Sequence, residues 1–234
     1  MDILYPIKRT ETNEELRYSL RSLENINHNK VIIVGDLPLR VNSETVYYIP
    51  TEKLSDRYAT TTNNIKLACQ NKELSEDFIL MNDDFFIMNT IKEKDLLLNR
   101  GLMIDVVHYY HKIRHCLSNY DRRVEQGMKE LKELGFENPI SFELHTPIII
   151  NKEKFLSIVD KINTEALHTC KRSLYGNYFI KESNTIEDVK ILSNTNISNF
   201  NFNNKNFISS SDSSWPKIRN ILTQKFPKKC IYEL

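Results

Sequence analysis

The chain has 234 residues, of which 32 are Lys or Arg and 31 are Asp or Glu, so its formal net charge is +1. This length is typical of one α/β domain. The near-neutral charge argues against a dedicated, strongly basic nucleic-acid binder, although it leaves open brief contact with a nucleic acid as a substrate.

The cysteines and the hydropathy pattern indicate the compartment. The 4 cysteines lie far apart and form no CxxC pair, which is typical of free thiols in a reducing compartment rather than of a disulfide or zinc framework. The N-terminus shows no basic region followed by an apolar stretch, and no apolar run approaches the ~20 residues that a membrane-spanning helix needs. We therefore predict a cytoplasmic protein without a membrane span.

The 5 glycines are too scattered to build a phosphate-binding loop. Neither GxGxxG nor GxxxxGK[ST] occurs, which excludes the dinucleotide-binding fingerprint and the P-loop. If this protein binds phosphates, a metal ion and basic side chains must therefore contribute more of the binding.

The chain opens with the pattern of a strand followed by an amphipathic helix. Residues 3–5 predict a short strand that Pro6 closes. Thr12 and Glu15 have the spacing of a capping box, and leucines at helical spacing follow to about residue 24.

Further strands are predicted for residues 31–34, 46–49 and 78–82, with a helix over residues 60–70 before the last of them. Strands that alternate with helices and lead to an acidic turn indicate a largely parallel α/β sheet.

The second half of the chain is richer in helical patterns. Residues 92–134 predict a helical insertion, residues 142–150 return to strand character, and residues 152–162 and 213–226 predict helices. No repeat or domain boundary is visible, so we predict a single domain over residues 1–234.

The acidic turn after the strand at residues 78–82 is the most informative segment. Asp83 and Asp84 follow a buried apolar run, which places them at the sheet edge where open α/β folds bind ligands. Adjacent carboxylates repel each other, and oxygen ligands suit Mg²⁺ or Mn²⁺. In nucleotide-sugar transferases of the GT-A type, such a pair holds a divalent cation against the diphosphate. The alternative is a strand that ends in an ordinary acidic turn.

A second candidate is His145, near the end of the strand predicted at residues 142–150. A histidine there can act as a base or nucleophile, and Glu143 alternates onto the same face of that strand. A partly buried structural histidine is the alternative.

Basic residues supply candidates for phosphate contacts. Arg57 lies in a predicted loop after the third strand, and Lys171 and Arg172 are adjacent; solvated charges are the alternative for each. Near the last helix, Ser211 or Asp212 is expected to act as a cap, although the start of that helix could also hold an anion. Asp212 is also a candidate metal ligand.

Three histidines share one helical face. His108, His111 and His115 are spaced i, i+3 and i+7, which a metal site could use. No Cys or acid completes such a site with suitable spacing, so we favour a polar face or acceptor surface.

Several segments, in order and spacing, resemble the Stealth family. Residues 13–24 (NEELRYSLRSLE), 31–36 (VIIVGD) and 75–86 (SEDFILMNDDFF) look like its second conserved region, and residues 145–147 (HTP) are similar to its later His-x-Pro element. The family includes capsular polysaccharide phosphotransferases and the animal enzyme that adds N-acetylglucosamine-1-phosphate to lysosomal glycans. The chain departs from the family at residues 2–8, which replace the usual Asp-Val-Val-Tyr-Thr-Trp-Val-Asn-Gly opening.

The resemblance implies a GT-A-like fold that binds a UDP-sugar with Mg²⁺ or Mn²⁺. It implies that Asp83 and Asp84 lie at the metal and catalytic centre with His145 close by. It also carries Arg57 over as a phosphate contact.

GT-A folds receive the nucleotide base at the end of the first strand. On this resemblance, Tyr5, Pro6 and Lys8 are expected to line the nucleotide pocket, with Lys171 and Arg172 near the phosphates.

We therefore expect metal-dependent glycosyl transfer from a nucleotide sugar to a glycan or a modified DNA base. We include a DNA acceptor because the small, Asn-rich chain also resembles glycosyltransferase-like proteins encoded by phages. A phage origin would place the protein in the host cytoplasm. Stealth-type transfer of a sugar-1-phosphate is one alternative, and a non-catalytic glycan- or nucleotide-binding module is another.

Overall fold

The computed structural model of the chain describes residues 1–8, 10–113, 116–197 and 200–234. Its strands are Asp2–Ile7 (β1), Val31–Gly35 (β2), Val46–Pro50 (β3), Asp77–Leu80 (β4), Phe85–Ile87 (β5), Leu98–Asn99 (β6), Ile148–Asn151 (β7), Asn184–Thr185 (β8) and Phe207–Ser209 (β9). Its α-helices are Glu14–Ser22 (α1), Arg57–Gln70 (α2), Met103–Ile113 (α3), Asn119–Glu133 (α4), Lys152–Ile158 (α5), Glu165–Thr169 (α6), Lys171–Phe179 (α7) and Trp215–Lys225 (α8).

The central sheet has the strand order β3-β2-β1-β4-β7. Strands β1 to β4 pair in parallel, and β7 joins the edge of β4 in the antiparallel direction. Two smaller pairs, β5 with β9 and β6 with β8, lie outside this sheet. The predicted α/β class with a mostly parallel sheet is thereby confirmed.

Both faces of the central sheet are buried, which is why its inner strands are continuous apolar runs rather than alternating ones. Along β1, Ile3 and Ile7 pack on one side with α1, whereas Leu4 packs on the other side with α2 and the helices of the second half. Strand β2 alternates in the same way and is buried throughout. The sheet is therefore the common wall of two hydrophobic cores.

The first strand continues through Pro6, which was predicted to close it. The amide of Ile3 donates to the Lys30 carbonyl on the β2 side, so the alternate residues Leu4 and Pro6 turn their nitrogens towards β4. Pairing with β4 ends at Leu4, so the missing N–H of Pro6 costs no ladder hydrogen bond.

The predicted capping box at the start of α1 is wrong. The residue before the helix is Asn13, in the left-handed conformation with φ 42°, and its side chain makes no cap hydrogen bond. Its Oδ1 instead accepts from the Thr10 amide, and the Thr10 hydroxyl accepts from the Asn13 amide. Glu15 therefore takes no part in a capping box.

The strand predicted for residues 142–150 forms only at its end, as β7. Before it, the Leu144 amide donates to the Phe142 carbonyl, a tight turn that an extended strand cannot contain. His145 and Glu143 therefore lie on a loop, and the strand alternation that put them on one face does not apply.

The region 92–134 contains α3 and α4, which pack on one face of the sheet. That this region is an insertion within a single domain stays a prediction. The last helix, α8, has Pro216 in its first turn as expected, but no side chain caps it, so neither Ser211 nor Asp212 does so. None of the helices in the described part of the chain is long and apolar enough to cross a bilayer.

Candidate active site

The acidic turn lies between β4 and β5, beyond the carboxyl end of β4. The Phe85 amide donates to the Asn82 carbonyl and closes the turn, with Asp83 and Asp84 at its centre. Strand β5 then leaves the central sheet to pair with β9. Because β4 runs parallel to β1 and β2, the two aspartates lie at the sheet edge that the sequence predicted.

Two further carboxylates interact with this turn. Glu15, in the first turn of α1, and Asp212, in the loop after β9, both raise the pKa of Asp83 through their charges. Glu15 also accepts a hydrogen bond from the Ser210 hydroxyl. We call Glu15, Asp83, Asp84 and Asp212 the acidic group.

Burial and nearby like charge raise the pKa of two members of the acidic group, Asp83 and Glu15. The pKa of Asp83 rises from 3.8 to about 7, first because the side chain is desolvated and then because Asp84, Glu15 and Asp212 carry like charge. The pKa of Glu15 is also raised, mainly by burial and further by Asp84 and Asp212, against the hydrogen bond from Ser210. Such a group favours any cation that enters it.

The negative charge of Asp84, one member of the acidic group, is partly compensated by neighbouring side chains. Oδ2 of Asp84 lies 3.4 Å from the Lys190 ammonium and accepts a hydrogen bond of 3.2 Å from the Ser209 hydroxyl. Lys190 was not singled out from the sequence.

The donor chemistry of the acidic group fits a hard divalent cation. Carboxylate oxygens are the ligands that Mg²⁺ and Mn²⁺ prefer, and the pKa values of Asp83 and Glu15 are raised first by burial and then by neighbouring carboxylates. Across the described residues, no three His, Cys, Asp or Glu side chains are arranged to hold a metal ion by themselves.

The second feature of the site is a histidine–aspartate pair. Nδ1 of His145 lies 2.8 Å from Oδ2 and 3.0 Å from Oδ1 of Asp188, and the His145 amide donates to Oδ1 at 3.1 Å. The Arg100 guanidinium lies 3.9 Å from Oδ2 of Asp188. Sequence reasoning missed Asp188, which follows β8 with no motif around it.

The pair lies beside the acidic turn. The ring of Phe85, the residue directly after Asp84, meets the His145 ring edge-on with centroids 6.1 Å apart. Arg172 donates to the carbonyls of Leu144 and Thr146, on either side of His145, at 2.6 Å each. The structure therefore places His145 beside Phe85, the residue that follows Asp84, and His145 lies on a loop rather than on a strand.

Glu143 has a structural partner instead of a place beside His145. Its Oε1 accepts from the amide and the hydroxyl of Ser173, in the first turn of α7, at 3.0 and 3.1 Å. A carboxylate there satisfies free amides at a helix start. The predicted pairing of Glu143 with His145 on one strand face is wrong.

The three residues predicted to line the nucleotide pocket differ in how accessible they are. Tyr5 is fully buried, its hydroxyl is hydrogen-bonded to Ser19 at 2.9 Å, and burial raises its pKa, so its ring cannot contact a nucleotide without rearrangement. Pro6 is half-buried and Lys8 is exposed, which leaves both accessible for a ligand.

The basic candidates have different surroundings, because Arg57 is exposed whereas Lys171 is buried. Arg57 opens α2 rather than lying in a loop, because Asp56 caps that helix, and it donates to the Tyr58 hydroxyl at 2.6 Å. Lys171 is buried and donates to the His168 carbonyl; burial lowers its pKa to about 8. Arg57 and Lys171 both lie against the Tyr58 ring, 4.6 and 5.8 Å from its centroid.

Two of the three histidines predicted to share one helical face, His108 and His111, lie in α3. His111 contacts Glu125 at 3.1 Å, and His115 lies outside the described residues.

Solved structures provide the comparison for this geometry. The chain matches no protein-family model and no curated protein. The galactosyltransferase LgtC, solved in complex with donor and acceptor sugar analogs, superposes with a TM-score of 0.50 at 11% identity over 99% of this chain and 98% of that chain. The chain has the fold of this glycosyltransferase.

Two further matches concern proteins of the same class. An active-site mutant of LgtC gives a TM-score of 0.49 at 11% identity, over 99% of this chain and 98% of that chain. The glycosyltransferase GlyE of Streptococcus pneumoniae TIGR4 gives 0.48 at 10% identity, over 97% of this chain and 60% of that chain. Membership of the Stealth family stays a prediction.

Proposed function

We propose that the protein is a metal-dependent glycosyltransferase that uses a nucleotide sugar, with a UDP-sugar as the first candidate. The observation that carries this proposal is the acidic group at the carboxyl edge of the parallel sheet, in a chain with a glycosyltransferase fold. The acceptor would be a hydroxyl of a glycan or a modified DNA base.

Asp83 and Asp84 would hold Mg²⁺ or Mn²⁺, with Asp212 and Glu15 adding negative charge around it. When bound, the cation would neutralise charge that builds on the leaving diphosphate. Lys190, already 3.4 Å from Asp84, is placed to contact a phosphate oxygen of the same donor. Pro6 and Lys8 would contact the nucleotide at the end of β1, and Arg57, Lys171 and Arg172 would raise the positive potential around it.

His145 would act on the acceptor. Its Nδ1 contacts Asp188, so Nε2 is the nitrogen that can accept a proton from an acceptor hydroxyl. Its position beside the residue that follows Asp84 supports a role for this base close to the proposed donor site.

Transfer of a sugar-1-phosphate is the second candidate. The resemblance to the Stealth family favours it, and so does the basic side chain of Lys190 beside Asp84, since attack at phosphorus needs positive charge near that atom. The reactions give different products from one UDP-sugar: glycosyl transfer releases UDP, whereas phosphotransfer releases UMP.

The test is incubation of the purified protein with a panel of nucleotide sugars and Mn²⁺ or Mg²⁺, followed by identification of the released nucleotide. Asp84→Asn is the inactive variant. Asp160→Asn is its matched control, because the Asp160 side chain is 94% exposed in the 3₁₀ turn that follows α5.

Release of a nucleoside diphosphate that Asp84→Asn abolishes and Asp160→Asn preserves would support glycosyl transfer and identify the donor. Release of UMP would replace it with phosphotransfer. If no nucleotide sugar is hydrolysed and none raises the melting temperature, both reactions are contradicted and a non-catalytic binding module becomes the better account.

A further inference from the structure

The carboxylate of Asp188 contacts His145 at two points. Oδ1 accepts a hydrogen bond from the main-chain amide of His145 at 3.1 Å, and both oxygens lie within 3.0 Å of ring Nδ1. The side chains are largely buried, with exposed fractions of 25% for His145 and 17% for Asp188. Backbone and ring are thus held by one group, which restricts both the position of the loop and the rotation of the imidazole.

The direction of the hydrogen bond follows from the charge of Asp188. Burial alone would raise its pKa, but the hydrogen bonds and charge of His145, together with Arg100, lower it from 3.8 to about 2. An ionised carboxylate has no proton to donate. Nδ1 must therefore carry the hydrogen, and a neutral His145 has its lone pair on Nε2.

A second set of contacts supports the pair. Arg100 lies 3.9 Å from Asp188 and donates to the Tyr110 hydroxyl at 2.7 Å, which anchors the guanidinium to α3. On the other side, Arg172 holds the carbonyls of Leu144 and Thr146. These contacts come from separate elements and converge on one histidine, which an incidental surface ion pair does not require.

We propose that Asp188 is a positioning residue: it holds His145 as the Nδ1–H tautomer and aims Nε2 at the acceptor. This inference rests on the proposed function, since it assigns His145 the role of base. It adds a residue outside every motif that the sequence offered.

The proton and electron balance is the same for both candidate reactions. The acceptor oxygen bonds to the anomeric carbon, or to the β-phosphorus in phosphotransfer, while its proton passes to Nε2. The bond to the leaving phosphate oxygen breaks, and its electron pair leaves with UDP or UMP. His145 becomes an imidazolium, which the charge of Asp188 stabilises until the proton passes to solvent.

Tautomer and turnover are measured separately. Long-range ¹H–¹⁵N spectra of histidine-labelled protein are recorded without substrate at alkaline pH, where a histidine of ordinary pKa, about 6.5, is neutral. His145→Gln identifies the resonance, and the wild type, Asp188→Asn, Asp188→Glu and Asp160→Asn are compared. Steady-state kinetics then gives kcat and KM for the nucleotide sugar.

We expect the Nδ1–H tautomer in the wild type and Asp160→Asn, and a tautomer mixture in Asp188→Asn. Asp188→Asn should lower kcat by about 10²-fold or more with KM for the donor unchanged. Asp188→Glu, which keeps the charge, should retain more turnover than Asp188→Asn.

An Nε2–H tautomer in the wild type, or full turnover by Asp188→Asn, would overturn the proposal. The spectra need no substrate, and the assignment needs only that His145→Gln folds, so the tautomer is determined independently of turnover. Absence of turnover with every nucleotide sugar would instead defeat the proposed function, so the two failures are distinguishable.

Discussion

Asp83 and Asp188 are two largely enclosed aspartates of one site with opposite electrostatics. Burial raises the pKa of both, yet Asp83 reaches about 7 whereas Asp188 falls to about 2. The difference lies in their partners. Asp83 faces like charges from the rest of the acidic group, whereas Asp188 faces His145 and Arg100.

The comparison separates carboxylates that lie close to one another from a carboxylate that is paired with His145 and Arg100. Uncompensated carboxylates destabilise the folded protein, so a ligand that supplies positive charge is bound more tightly there. A compensated carboxylate is a fixed element of the framework. Substitutions in each region test this distinction.

Asp84→Asn should have the largest effect, because it removes one of the two carboxylates proposed to hold the metal ion. We expect turnover to fall by about 10²–10³-fold, since charge stabilisation by a bound metal contributes several kcal/mol. Mn²⁺ should raise the melting temperature of the wild type and of Asp160→Asn, but not that of Asp84→Asn. An equal Mn²⁺ shift in all three proteins would mean that the cation binds elsewhere.

Arg172→Met tests whether Arg172 holds the loop around His145. It leaves the carbonyls of Leu144 and Thr146 without their charged donors, so unfolding in urea should show a loss of about 3 kcal/mol. Arg172→Lys keeps the positive charge, but a single ammonium group cannot donate to both carbonyls as the guanidinium does. Its loss of stability should therefore lie between those of the wild type and Arg172→Met. If both variants match the wild type, Arg172 does not hold this loop.

Asp188→Asn should cost about 2 kcal/mol of stability at neutral pH, from the pKa difference between 3.8 and about 2. Since the folded-state pKa is the lower one, this contribution is present above about pH 4 and is lost as the pH falls through about 2. Urea unfolding of the wild type and Asp188→Asn between about pH 4 and pH 2 should show that the difference in their free energies of unfolding decreases as the pH falls. A difference that does not depend on pH would contradict a charge-based origin.

Lys190→Met should have the smallest effect of these substitutions, a moderate change in Mn²⁺ affinity. Removing the ammonium 3.4 Å from Asp84 leaves the acidic group less compensated, so Mn²⁺ affinity should rise about fivefold, or about 1 kcal/mol. Calorimetric titration measures it, with Lys228→Met, an exposed lysine, as the control. Weaker Mn²⁺ binding would show that Lys190 organises the acidic group instead of opposing the cation.

Elements with a strong local pattern were predicted well. Strands β2, β3 and β4 and helix α2 lie where apolar runs and helical spacing indicated, within a few residues. Local features that depend on distant partners were not. Glu15, read as half of a capping box, hydrogen-bonds Ser210, 195 residues away, and the strand expected around His145 gives way to a loop that Arg172 and Asp188 hold.

By itself, the sequence determined the α/β class, the buried parallel strands and the acidic turn at the sheet edge. Each of these depends on periodicity and composition within a few neighbouring residues. Only the tertiary structure decided which side chains surround that turn. Lys190 meets Asp84 across 106 residues, and Asp188 meets His145 across 43. Such contacts depend on how loops and helices pack in three dimensions, and no short-range pattern encodes them.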